Sequence, residues 1–225
     1  MGVIPTRMMP MGGWRPSAPP LPYDAEVEYL ESTGTQYIDT GVAPGDNELD
    51  FSLVAKNLST GGYAAFFGCR DDISGGVYVP SNYSAFVRAN NNGEMRADIG
   101  NSGAAIALPL RNVADYSVAW DSATRTLTVS NIESGTTSTA TASTKSASAF
   151  SFALFGINTA GTFAAGAHAR IYSATFTKGG VLVRDFVPVR VGSGSSAVGH
   201  LFDRVSGALF GNAGTGAFTI GPDKT

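Results

Sequence analysis

Apolar side chains in this sequence recur at every second position rather than every third or fourth, so its core has to be built from strands. In residues 48–55, Leu49, Phe51 and Leu53 share one face while Glu48, Asp50 and Ser52 take the other. In residues 115–130, Tyr116, Val118 and Trp120 point one way and Asp121-Ser122-Ala123-Thr124 reads as a turn. Leu127 and Val129 then return on the same face, with Thr126, Thr128 and Ser130 outward. The pattern predicts a β-hairpin with Tyr116, Val118, Trp120, Leu127 and Val129 buried together. Further strands are expected at 150–155, 169–176 and 181–187, the last two joined by a Lys178-Gly179-Gly180 turn. The Ser-, Thr- and Ala-rich stretch 133–148 reads as an exposed strand and loop. About a dozen short strands at roughly 8–15-residue spacing predict an all-β fold, a two-sheet antiparallel sandwich most commonly closed as a jelly roll.

Composition agrees with strands and excludes several functions. Charged residues are 15% of the chain, against ~25% in an ordinary soluble domain, and 28 of 225 residues are glycine, well above the usual ~7%. A net charge of −3 supplies no field to draw in nucleic acid. No apolar run approaches the ~20 residues of a membrane-spanning helix. One cysteine, Cys69, permits neither an internal disulfide nor a multi-cysteine metal site.

Residues 1–22 differ from the rest. They hold four of the five methionines, closely spaced prolines, Trp14, and two arginines with no acid. Proline at this density prevents helix and central strand alike. The expected organisation is therefore an extended N-terminal arm, 1–22, that is either a disordered tail or becomes ordered on a partner, followed by one sandwich domain, 23–225. Arg7, Met8, Met9, Met11, Trp14 and Arg15 are the arm's candidate anchors, because apolar groups flanked by cations suit a groove on a partner. The opening residues lack a continuous apolar h-region, so no secretory signal peptide is expected and synthesis in a cytoplasm is.

Several constellations invite chemical readings. Glu26-Val27-Glu28-Tyr29-Leu30-Glu31 superficially resembles the E-x-D-x-x-E strand of a concanavalin-like glycosidase family. Retaining hydrolysis needs two carboxyls ~5–5.5 Å apart in one cleft. On a regular strand Glu26 and Glu28 share a face with Val27 and Tyr29 inward, and Glu31 falls opposite unless a bulge intervenes. No catalytic residue is assigned. His168 and His200 read as edge or surface imidazoles, and no G-x-S-x-G elbow presents a serine. Cys69 reads as a buried small hydrophobe whose pKa the adjacent Arg70 could lower. Gly211–Gly216 lacks the lysine and helix of a phosphate loop and reads as a turn. Asp71, Asp72 and the Asn90-Asn91-Asn92 run offer oxygen ligands, but their spacing matches no calcium loop, and no metal or cofactor is assigned. Arg170, Arg184, Asp185 and Arg190 lie in or beside apolar strands and are expected to pair across them. For glycans, Arg70, Tyr78, Tyr83, Arg88, Asn90, Asn91 and Asn92 cluster in sequence around turn signals. Tyr faces with planar amide and guanidinium donors suit sugars. The alternative is that Asn90–Asn92 are simply a hairpin turn and the tyrosines half-buried strand residues.

Three runs carry a wider likeness: YDAEVEYLESTGTQYIDTGV (23–42), ARIYSATFTKGGVLVRDFVPVRV (169–191) and HLFDRVSGALFGNAGTGAF (200–218). They resemble LamG-like, concanavalin A-like jelly-roll domains of phage virion proteins and gut-bacterial surface proteins. The resemblance spans 23–222 and implies a sandwich whose first strand lies beside its last ones. It also implies a non-enzymatic virion component, such as a decoration, head-fibre or tail-adhesin protein. Its arm would bind other capsid or tail proteins, and its sandwich would face host or mucosal glycans, singly or as a homo-oligomer. LamG-type domains often hold a rim calcium, which stays open here. A bacterial surface carbohydrate-binding protein and a glycoside hydrolase are the alternatives, since this fold hosts many functions.

Overall fold

The computed structural model describes residues 20–44, 48–58, 64–71, 114–142 and 148–225, and the backbone of five short strands between 73 and 109. The anchors expected in 1–19 and the residues Asp72, Tyr83, Asn90, Asn91 and Asn92 lie outside the described residues, as do the side chains of Tyr78 and Arg88.

The structure is an all-β sandwich. Its larger sheet has eleven strands, eight of them in the order Thr137–Thr141, Thr126–Asn131, Asp115–Asp121, Leu49–Asn57, His168–Lys178, Val181–Val191, Val198–Asp203 and Ala208–Phe210. All these pairings are antiparallel. Leu49–Asn57 alternates buried and half-buried residues without a break, as its sequence period requires. The hairpin pairs Val118 with Val129 and Trp120 with Leu127, and all five residues assigned to its inner face are buried. Thr137–Thr141 is the expected exposed strand and forms one edge of the sheet.

The three remaining strands of this sheet fill a wedge. Val181–Val191 pairs with only the C-terminal half of His168–Lys178, from Ala174↔Phe186 to Lys178↔Val181. Beside the N-terminal half lies Leu30–Thr33, while Ala25–Glu26 pairs with Arg190 and Val189. Thr219–Ile220 lies against Glu31 and Leu30, and Asp223 bridges Val27. The first segment is thus held between the long central strands and the last segment, the neighbourhood that the LamG-like resemblance implies.

The facing layer contains a five-stranded sheet (Ile38–Asp39, Ala153–Leu154, Phe67–Arg70, Ile157–Thr159, Thr162–Ala164) and a four-stranded one (Ala64–Ala65, Arg88–Ala89, Glu94–Arg96, Leu108–Pro109). Its strands are mostly two to four residues long, so the chain has more and shorter strands than its period suggests. The core lies between the layers. Phe51 and Phe176 of the large sheet meet Phe152, with ring centroids 6.1 and 5.6 Å away, and Phe51 meets Phe67 edge-on at 4.7 Å.

Two expectations need correction. Residues 150–155 contribute only Ala153–Leu154 as strand, because Phe155 adopts a left-handed conformation (φ +68°) and the chain turns at Gly156. Tyr29 is half-buried rather than inward. The strand breaks after Glu26 and resumes at Leu30, so Val27 and Leu30, three positions apart, are the residues that face the core.

Asp203, which sequence reasoning did not single out, is a buried carboxylate that holds two strand connections. One oxygen accepts from the Asp185 N–H (2.9 Å) and the Val205 N–H (3.1 Å), the other from the Ser206 hydroxyl (2.6 Å) and the Ser206 N–H (3.3 Å). Arg184 stands 3.5 Å away. Gly207 completes the turn at φ +73°, a conformation costly for a residue with a Cβ.

Candidate functional site

The acidic run at the first strand is not a catalytic pair. Glu26 accepts from Arg204 (2.8 Å), and that bond is the main reason its carboxyl is held below the usual range. Glu31 accepts from Arg170 Nε (2.7 Å) and lies 3.4 Å from His168 Nε2. Burial, the largest influence on Glu31, acts to raise its pKa, but the Arg170 and His168 contacts outweigh it and the net shift is downward. Glu28 is exposed. Glu26 and Glu31 thus take partners on different segments, Arg204 and Arg170, and the strand break at 27–29 separates the two.

The same accounting explains the strand arginines. Arg170 pairs with Glu31, Arg184 with Asp203, and Arg190 with Asp223 at 2.8 Å, all across neighbouring segments as expected. Arg170 also lies over the Tyr29 ring, 4.1 Å from its centroid, and Tyr29 meets Tyr172 edge-on at 6.0 Å. Burial, aided by Asp115, pushes the Tyr172 hydroxyl up to about 12. The Arg170, Glu31, Tyr29 and Tyr172 group lies on the outer face of the large sheet, whereas Arg184 and Asp203 share the face of the core residues Phe176 and Phe186; these contacts have the character of structural cross-strand pairs.

Cys69 is fully buried, as its sequence context suggests. Burial pushes its thiol well above the ordinary value, so the expected lowering by Arg70 is overturned. Arg70 Nε instead donates to the Thr159 hydroxyl at 2.7 Å. Asp71 accepts from the Ser148 hydroxyl (2.8 Å). No cluster of three or more His, Cys, Asp and Glu side chains suited to a metal occurs among the described residues. Arg88–Ala89 and Glu94–Arg96 pair antiparallel with each other.

A different constellation forms on the outer side of the second layer. Ile38 is buried in the core, so its neighbours Tyr37 and Asp39 face the opposite way. Across from them lies the hairpin of Ile157–Thr159 and Thr162–Ala164, in which Asn158 pairs with Phe163. Ala160 (φ +48°) and Gly161 (φ +86°) form its two-residue turn, the left-handed pair that matches strand twist. The rings of Phe163 and Tyr37 stack at 4.1 Å with 10° between their planes. Together Tyr37, Asp39, Ala153, Asn158, Gly161 and Phe163 line an open pocket of about 50 Å³.

The surroundings fix this stack tightly. A Cβ on Gly156 would lie 2.1 Å from Phe163 Cε2, one on Gly166 2.0 Å from the Gly34 carbonyl oxygen, and one on Gly214 2.1 Å from the Thr35 carbonyl oxygen. Phe155, Ala160 and Ala165 all have positive φ, so three of the four such non-glycine residues among the described ones fall in the eleven residues 155–165. Strain of this kind persists only where the surroundings over-determine it, and it gathers at ligand sites. Asn158 is held by the Ser151 carbonyl (3.0 Å) and the Gly161 N–H (2.8 Å). Asp39 Oδ1 accepts from the Gly41 N–H (2.9 Å).

No protein-family model matches the chain, and no curated protein matches it. Among solved structures, a similar one is the K499G mutant of NanB sialidase from Streptococcus pneumoniae, with 11% identity and a TM-score of 0.42 over 87% of this chain. The chain spans 39% of that protein's length, and a likeness at this level carries no argument about function.

Proposed function

We propose that the chain is a non-catalytic display module of a virion: a β-sandwich that engages glycans, carried on a particle by its N-terminal arm. The observation that supports the non-catalytic part is the state of four acidic residues at and near the first strand. Glu26, Glu31, Asp203 and Asp223 each take a cation as partner. A glycosidase instead needs two carboxyls converging on one cleft, one held protonated. The attachment part is supported by sequence: Trp14, Met8, Met9 and Met11 beside Arg7 and Arg15 suit a partly apolar, acidic groove on another capsid or tail protein. The likeness of 23–42, 169–191 and 200–218 to LamG-like modules supports the outward-facing role.

Virions induced from a strain carrying the gene test this reading. The chain is expected in purified particles by mass spectrometry. A protein beginning at Tyr23 should melt like full length yet fail to incorporate. Trp14→Ala should weaken attachment by more than about 1 kcal/mol, as loss of a buried aromatic anchor does. Wild-type occupancy by the truncated protein would overturn the arm's role. Sugar release from a polysaccharide panel that disappears in Glu31→Gln would overturn the non-catalytic reading.

A further inference from the structure

We propose that the pocket lined by Tyr37 and Phe163 binds the terminal sugar of a glycan, a hexopyranose without carboxylate or sulfate. The inference rests on the display reading above and assigns its glycan contact to residues distinct from the Tyr- and Asn-rich stretch 70–94. Four properties of the pocket point to this ligand.

The first is chemical composition. The edges of two stacked aromatic rings give the apolar part of the lining, while the Asp39 carboxylate and the Asn158 side chain give polar groups beside it. A pyranose has the matching character, with C–H groups on its ring face and hydroxyls on its edge. The second is charge. Among the described lining residues Asp39 is ionisable to an anion and none is a cation, so a sialic acid or a sulfated sugar would bring like charge to Asp39 with nothing to neutralise it. The third is size. About 50 Å³ accommodates a few water-sized groups, the hydroxylated edge of one ring, while the rest of the sugar stays over the aromatic edges.

The fourth is rigidity. Gly156, Gly166 and Gly214 let backbone pack against the stack with no room for a Cβ. Ala160 and Ala165 hold left-handed conformations on either side of Phe163, and Asn158 is tied at both ends of its amide. A wall fixed before the ligand arrives loses little entropy on binding, which matters for a small, weakly held sugar. Asp39 uses Oδ1 for Gly41, and no hydrogen bond within the protein occupies Oδ2 among the described residues, leaving it for a ligand hydroxyl.

Saturation-transfer NMR on the full chain tests the assignment, with the methyl glycosides of glucose, galactose, mannose and N-acetylglucosamine as probes. N-acetylneuraminic acid serves as the charged comparator. At least one neutral glycoside should bind, and N-acetylneuraminic acid should not. Asp39→Asn keeps the oxygen that accepts from Gly41 but replaces the outward one with a donor, and should weaken binding at least tenfold at an unchanged melting temperature. Phe163→Leu removes the ring while keeping apolar volume and should also weaken it at least tenfold. Absence of binding by all four glycosides, binding unchanged in Asp39→Asn, or preference for the charged probe would each overturn the proposal. Particle incorporation of Asp39→Asn keeps the two readings apart. A wild-type protein that binds no sugar yet enters particles defeats the pocket alone, and one that binds sugar but is absent from particles defeats the display role alone.

Discussion

Removing the Asp203 carboxylate should cost more than any other single polar change in the described residues. Its two oxygens accept four hydrogen bonds from three residues, and it is fully excluded from solvent. In Asp203→Ala, the Val205 and Ser206 donors belong to exposed residues that water can reach. The Asp185 N–H is half-buried, and Arg184 loses its anion. One charge-assisted hydrogen bond contributes about 1.5–3 kcal/mol, and an orphaned donor adds about 1–3 kcal/mol, so a loss of about 3–5 kcal/mol is expected, in the range for breaking a buried pair. Asp203→Asn keeps one acceptor oxygen and should cost about 1–2 kcal/mol. The pH dependence separates charge from shape. Burial, the largest influence on Asp203, acts to raise its pKa, but the Ser206 hydroxyl and the backbone donors outweigh it and hold it below the ordinary value. A carboxyl lowered on folding stabilises above its unfolded pKa of ~3.9, and that contribution is lost as pH falls through the folded value. Urea titrations at pH 7, 4 and 3 should therefore show the wild type losing more stability below pH 4 than Asp203→Asn does. Equal acid sensitivity of the two proteins, or an Asp203→Ala midpoint within error of wild type, would refute the assignment.

Three further outcomes follow from packing and backbone geometry. Trp120→Ala, which empties a buried site facing Phe51 and Leu127 across the sheet, should cost about 3–5 kcal/mol in chemical denaturation, and an unchanged midpoint would put the alternation one residue out of register. Ala160→Gly should stabilise by about 0.5–1 kcal/mol by calorimetry, because relief of a left-handed alanine (about 1–2 kcal/mol) exceeds the added unfolded-state entropy of glycine. Cys69 should resist a thiol-specific chromogenic reagent at pH 8 in the native protein and react fully in denaturant, since burial both hides the thiol and raises its pKa.

Much of the large sheet was legible because burial on one face imposes a period of two. Leu49, Phe51 and Leu53, and the hairpin from Tyr116 to Val129, could be oriented from sequence since each strand is long enough for the period to repeat. The second layer was less legible: a strand of two residues, such as Ala153–Leu154, shows no period at all. The pocket was invisible for a related reason. Tyr37 and Phe163 are distant in sequence, and their meeting depends on left-handed alanines that no propensity favours. Asp203 was in principle readable, because Asp203-Arg204-Val205-Ser206-Gly207 has the side-chain-capped turn composition, acid first and glycine last. The run 26–31 misled in one respect, since its alternation continues on paper through a strand that breaks at Val27.

The wedge in the large sheet sets when this protein can complete its fold. Leu30 is flanked by Ile171 on one side and Ile220 on the other, and the Glu26–Arg204 ion pair joins residues 178 positions apart. A ribosome adds about 5–20 residues per second, so residues 24–33 wait on the order of ten seconds or more for the strands that will enclose them. Over that interval Val27 and Leu30 have no permanent partners, and the hairpin from Asp115 to Asn131 can form first because its contacts are local. Pairings of such long sequence separation are slow to find, which makes closure of the wedge the natural last step of folding. In a nascent chain stalled before residue 219, the outer edge of Leu30–Thr33 lacks the strand that caps it in the finished sheet, an open template for a second nascent chain.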